Sequence, residues 1–253
     1  MGSGQLSCVS LKVAERQEVP RNLTITLGKR TNCYLLEGDA GFVLIDTGFP
    51  FQRRALREAL DAAGCRPGNL PLVILTHGDI DHSGNVGYLR TKYGARIAMH
   101  QGDTAMCLTD GETRERNTQL PDDFPKVLFL WFIRDLLHYF GRKLLRQIEF
   151  EPFRPDVLLE DGQYLRPLGL SATAYHTPGH SKGSVSILTS EGDLYCGDHF
   201  LHAWGHVVCS PDDPSFPSTN ERLGRLCVKR VYPGHAEALV IERARVWGGW
   251  TKP

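Results

Sequence analysis

From Thr76 to His82 the chain reads Thr-His-Gly-Asp-Ile-Asp-His, so four side chains able to bind a metal, His77, Asp79, Asp81 and His82, fall within six residues. Imidazoles and carboxylates crowded this closely disturb one another's protonation unless a cation lies among them. Three further candidates each follow a glycine: His180 in Thr177-Pro178-Gly179-His180, Asp198 after Gly197, and His235 in Tyr232-Pro233-Gly234-His235. Seven nitrogen and oxygen ligands are too many for one tetrahedral ion and suit two.

The elements that must carry these residues can be read from hydrophobic periodicity. Helical spacing would put positions 77 and 81 on one face. The apolar run at 72–75 and Gly78 argue instead for a strand that leads into a loop. In an extended chain the side chains of 77, 79 and 81 point the same way, and the loop must turn His82 so that the segment faces two neighbouring ions. The glycines before His180, Asp198 and His235 let the backbone bend at strand ends, where distant segments converge. Upstream, strands are expected at 23–27, 32–36 and 42–45, the last ending in the turn Asp46-Thr47-Gly48. A helix over 51–63 follows, with Leu56, Ala59, Leu60 and Ala63 on one stripe; a second helix spans 83–93 and ends at Gly94, before a strand at 96–99.

Residues 101–156 differ: polar up to Asp123, then apolar and aromatic over 124–140, they read as a helical insert between sheet segments. Strands resume at 157–159, 171–176, 184–188 and 194–196. A proline-bearing loop covers 199–217, and a helix at 219–227 leads into a strand at 229–232. Two β-rich halves with intervening helices imply an α/β fold with sheets in the middle and helices outside.

The chain has 253 residues, which fits a single domain over 1–253 with 101–156 inserted in it. Lys plus Arg equals Asp plus Glu at 29 each, so the broad basic footprint of a nucleic-acid binder is missing. Seven scattered cysteines without a CxxC pair read as reduced thiols. With no apolar signal core at the N-terminus, they place the chain in the cytoplasm. Arg134 and Asp135 interrupt the most apolar stretch, so no stable membrane insertion is expected.

Taken together, Asp46-Thr47-Gly48, His77-x-Asp79-x-Asp81-His82, Thr177-Pro178-Gly179-His180, Gly197-Asp198 and Pro233-Gly234-His235 resemble the metallo-β-lactamase superfamily, in order and in spread. The resemblance implies a four-layer αββα sandwich with a metal site at the open edge between its sheets. It implies that His77, Asp79 and His180 hold one divalent ion, that Asp81, His82 and His235 hold the other, and that Asp198 bridges them. Asp46 would support the site without ligating. The family's commoner pattern has His at position 79; Asp79 is a harder ligand, so zinc remains the first expectation with a shift toward iron or manganese. Position 79 either ligates or hydrogen-bonds a water.

The implied activity is a hydrolase in which a hydroxide held between two ions attacks an ester, lactone, thioester or β-lactam-type bond of a small, partly apolar substrate. Asp81 or Asp79 would pass a proton to the leaving group. The alternatives are a phosphodiesterase or phosphotriesterase on the same centre, or an iron-dependent, oxygen-using member of the superfamily. His199, His202 and His206 are candidate substrate-facing groups or plain packing residues, and Lys182 is a candidate anion contact or a solvated lysine. His100, His138 and His176 are expected to be structural. The 124–140 insert is read as a cap, a homodimer surface or an apolar lid.

Overall fold

The computed structural model describes residues 22–28, 31–108, 150–203, 206–208 and 216–240. A first six-stranded sheet runs, from one edge to the other, β1 (Asn22–Leu27), β2 (Thr31–Gly38), β3 (Gly41–Ile45), β4 (Leu72–Ile74), β5 (Arg96–His100) and β6 (Val157–Leu159). β1 to β3 are an antiparallel meander, whereas β3 to β6 are parallel. A second six-stranded sheet is built from β7 (Gln163–Tyr164), β8 (Ala172–His176), β9 (Val185–Thr189), β10 (Asp193–Gly197), β13 (Arg230–Pro233) and β14 (Leu239–Val240). Its spatial order is β14-β13-β10-β9-β8-β7, with β10 and β13 parallel. β11 (Leu201–Ala203) and β12 (His206–Val208) form a separate hairpin. The helices are α1 (Arg53–Ala62), α2 (Ile80–Ser83), α3 (Val86–Tyr93), α4 (Thr104–Cys107) and α5 (Phe216–Gly224).

Side-chain alternation along the strands sorts the core into layers. Val43 and Ile45 of β3 and Leu72 and Ile74 of β4 meet Ala172, Ala174, Val185 and Ile187 of the second sheet in one buried cluster. Leu44 and Val73 point the other way and pack on Leu56 and Leu60 of α1 and Leu89 of α3. On the far face of the second sheet, Leu194, Cys196 and Val231 cover Leu223 of α5. Helix, sheet, sheet and helix therefore stack in four layers, as expected. α1 docks through an i, i+4 pair, Leu56 and Leu60, both fully buried.

Three expectations need correction, and two short strands had no counterpart among them. The helix over 83–93 is α3, which starts at Val86, and a separate single turn, α2, precedes it with Gly84 and Asn85 between them. The loop over 199–217 contains the β11–β12 hairpin, and α5 begins inside it at Phe216. β7 and β14, two residues each, were too short to leave a periodic signal. Finally, the chain over 77–81 is not extended throughout, since α2 starts at Ile80. Most of the insert, with residues 124–140 and His138, lies outside the described residues. Among the described residues, no helix is long and apolar enough to cross a membrane, and the five described cysteines are free thiols.

Candidate metal centre

Each candidate side chain sits just past the C-terminal end of a strand. Asp46 follows β3, residues 77–82 follow β4, His180 follows β8, Asp198 follows β10 and His235 follows β13. These strand ends meet along one edge between the sheets. The turn into α2 then divides the central motif. Asp79 is extended (φ −64°, ψ 150°), and the chain coils immediately after it. Asp79 is thereby directed toward His180 and Asp81 toward His235, while the His77 and His82 rings lie 4.1 Å apart between them.

Two groups result. In the first, Asp79 Oδ2 lies 3.5 Å from His77 Nε2 and 3.1 Å from His180 Nε2. In the second, Asp81 Oδ2 lies 3.1 Å from His235 Nε2 and 3.7 Å from His82 Nε2, and the two imidazole Nε2 atoms are 3.2 Å apart. Asp198 stands between the groups. Its Oδ1 is 3.3 Å from His82 Nε2, and its Oδ2 is 3.3 Å from His235 Nε2 and 3.6 Å from His180 Nε2.

These residues fit divalent ions on two counts. Ligands held at about 2.0–2.1 Å by a tetrahedral ion stand about 3.3 Å from one another, and every separation above falls between 3.1 and 3.7 Å. Moreover, His77 Nε2 is buried and makes no hydrogen bond. A buried polar atom left in that state is costly, and a cation beside it removes the cost.

The electrostatics agree. Burial opposes a charge on His82, but the Asp198 and Asp46 carboxylates outweigh it and raise the imidazole well above its ordinary range. Burial likewise opposes a charge on His235, yet Asp198 and Asp81 raise it to about 10. Asp198 is held well below the usual carboxylate range against its own burial, by His82, His235 and His77. The carboxylates around His82 and His235 draw protons onto these two imidazoles when no metal is bound.

Asp46 fixes which nitrogen each imidazole presents. It is buried, and it is the one non-glycine residue of positive φ (60°) among the described residues. The left-handed turn brings its carboxylate under β4. Oδ1 accepts from Thr76 N–H at 2.8 Å, and Oδ2 accepts from Thr76 Oγ1–H at 2.7 Å and His82 Nδ1–H at 2.8 Å. With its proton given to Asp46, Thr76 Oγ1 accepts from His77 Nδ1–H at 3.0 Å. One carboxylate thus occupies Nδ1 of His82 directly and Nδ1 of His77 through Thr76, which makes Nε2 of each the nitrogen that faces the centre and would bind a metal.

The remaining candidates from the sequence divide differently once placed. His199 is buried, packs edge-on to Phe200 at 4.6 Å, and is held neutral by burial with a value of about 4. His100 and His176 stack at 4.0 Å, and His176 Nε2 donates to the Lys182 carbonyl, while the Lys182 side chain is exposed. The side chains of His202 and His206 lie outside those described. Asp103 escaped notice. It is buried beside the first group, accepting from the backbone of both loops that carry it. Its only sequence signal is its place just past β5, in the same row of strand ends.

A family model described as the Metallo-beta-lactamase superfamily matches residues 27–235. Acyl-coenzyme A thioesterase MBLAC2 of Bos taurus is 27% identical over 236 residues, covering 85% of this chain and 76% of its own. Among solved structures, a metallo-beta-lactamase family protein from Thermus thermophilus superposes with a TM-score of 0.64 at 24% identity, over 90% of this chain and 77% of the other. TTHA1623, solved in a di-iron-bound form, superposes with a TM-score of 0.61 at 24% identity, over 89% and 98%. At that identity the two structures speak to the fold alone.

Proposed function

The chain belongs to the metallo-beta-lactamase superfamily and is a metal-dependent hydrolase, and from that premise we propose that it cleaves the thioester bond of a small acyl substrate at a two-ion centre. The observation that carries the reading is the pair of His/Asp groups with Asp198 between them. His77, Asp79 and His180 would hold one ion and Asp81, His82 and His235 the other, with Asp198 within reach of both groups. Zinc is the first candidate, and the hard carboxylate of Asp79 moves the preference toward iron or manganese. Bound there, such ions would supply an activated water and polarise an acyl carbonyl.

Three features favour a thioester over the other acyl bonds open to this chemistry. A relative that aligns with 85% of the chain at 27% identity is named an acyl-coenzyme A thioesterase. Asp81 lies 3.1 Å from His235 and 3.7 Å from His82 among the candidate ligands, so with an ion bound it would be a poor proton donor. A departing thiol, with a pKa of about 8.5, leaves as thiolate without a donor, whereas an alkoxide or amide needs one. Lastly, Phe49 and Phe51 stack at 4.9 Å, with Phe51 67% exposed, on the turn that follows Asp46. That turn is tied to the metal-bearing segment through Thr47 N–H to the His82 carbonyl at 2.7 Å and Asn85 Nδ2–H to the Phe49 carbonyl at 2.9 Å. It offers an apolar wall for an acyl chain.

The test is a panel of acyl thioester, ester, lactone and β-lactam substrates against chelator-stripped protein restored with zinc, iron or manganese, with Asp198→Ala in parallel. The expected result is metal-dependent release of free thiol, largely lost in Asp198→Ala. Turnover of an ester or lactone with no thioesterase activity would overturn the substrate class, and near-wild-type turnover by Asp198→Ala would overturn the two-ion centre.

A further inference from the structure

We propose that Asp103 is the positioning residue that sets metal affinity at the His77/Asp79/His180 group and leaves the Asp81/His82/His235 group alone; the proposal rests on the two-ion reading. Asp103 is 1% exposed. It joins the two loops on which the ligands of the first group ride. Oδ2 accepts from Gly78 N–H at 3.0 Å, between His77 and Asp79 in sequence. The same oxygen accepts from Ser181 Oγ–H at 2.6 Å, and Oδ1 accepts from Gly183 N–H at 2.8 Å, in the loop that begins with His180.

Two glycines show how closely the loops are drawn together. A Cβ on Gly183 would come within 2.5 Å of Asp103 N, and a Cβ on Gly102 within 2.6 Å of the Lys182 carbonyl oxygen. Three donors converge on two oxygens, which only a carboxylate satisfies, since an amide would turn an N–H against at least one of them. The clamp therefore holds the 3.1 Å approach of His180 to Asp79. None of these three hydrogen bonds reaches a residue of the second group. Its His82 is fixed by Asp46, and His235 arrives from β13 on the other side of the centre.

The experiment is a cobalt(II) titration of full-length, metal-stripped protein, following the visible absorption of each binding step in competition with a chromophoric chelator. His180→Ala and His235→Ala assign the two steps. Asp103→Asn is expected to weaken the step lost in His180→Ala by about 10–100-fold, the range for groups that orient a ligand. The step lost in His235→Ala should stay within about threefold. Ser181→Ala, which removes one of three donors and leaves the carboxylate, should cost the first step less than Asp103→Asn does. Equal weakening of both steps, or of neither, overturns the proposal. If Asp103→Asn does not fold, Asp103→Ser, with one shorter acceptor, must show the same one-sided loss. A wild-type protein that binds a single ion defeats the two-ion reading by itself. In that case Asp103 keeps its role only if the single step is lost in His180→Ala and weakened in Asp103→Asn.

Discussion

Asp46→Asn changes one atom and should disable both metal groups. Thr76 N–H faces Asp46 Oδ1 at 2.8 Å, so the amide oxygen of Asn must take that position. Its NH2 then occupies the place of Oδ2 and becomes a donor toward Thr76 Oγ1 and His82 Nδ1, which stand 2.7 and 2.8 Å away. His82 can accept only in the tautomer that carries its proton on Nε2. Thr76 Oγ1 in turn accepts from Asn and donates to His77 Nδ1, which moves that imidazole's proton to Nε2 as well. Both nitrogens that face the centre lose the lone pair a metal needs. The lost charge-assisted bond to His82 alone is worth about 1.5–3 kcal/mol, or roughly 10–150-fold in affinity at about 1.4 kcal/mol per decade. The assay is competitive zinc titration of wild type, Asp46→Asn and Thr76→Val, with unfolding of each metal-free protein as control. Thr76→Val cuts only the branch to His77, so it should weaken one ion and spare the other. If Asp46→Asn binds both ions within about threefold of wild type, the tautomer relay is refuted.

Metal uptake near pH 7 is expected to release about two protons, because His235 is raised to about 10 and His82 well above its ordinary range in the metal-free site; calorimetry in buffers of different ionisation enthalpy counts them. The raised His235 contributes stability that is fully present below about pH 6.5 and lost as pH rises through about 10. The lowered Asp198 contributes stability present above its ordinary value of 3.8 and lost as pH falls below it. Denaturant unfolding of the metal-free protein across pH should therefore decline on both flanks, and the alkaline decline should shrink in His235→Ala. Phe51→Ser is expected to raise KM for long acyl thioesters more than for acetyl thioesters, with metal content unchanged; equal effects on both would remove the aromatic turn from substrate binding. Leu60→Ala, at a fully buried anchor of α1, should cost about 2–5 kcal/mol of unfolding free energy and leave metal affinity intact.

The strands were legible because they obey a period of two or run apolar throughout. Val43, Leu44 and Ile45 read as a buried strand, and they serve two cores on opposite faces of β3. Short elements were not legible: α2 spans four residues and β14 two, too few for any period. The extended reading of 77–81 failed for that reason, and the coil at Ile80 is what turns Asp81 and His82 toward the second group.

The sequence by itself determined the kinds of candidate ligand and their number. Seven imidazoles and carboxylates, five of them next to a glycine, are chemistry carried by residue type, and type is local information. Only the tertiary structure decided how they pair. Asp79 meets His180 across 101 positions, and His82 meets His235 across 153. Such partners are set by the parallel order of β4 against β3 and of β10 against β13, which no local pattern records. Asp103 is the sharpest case. As a residue it is one aspartate among many, and it becomes a clamp only because β5 ends where the loops after β4 and β8 cross.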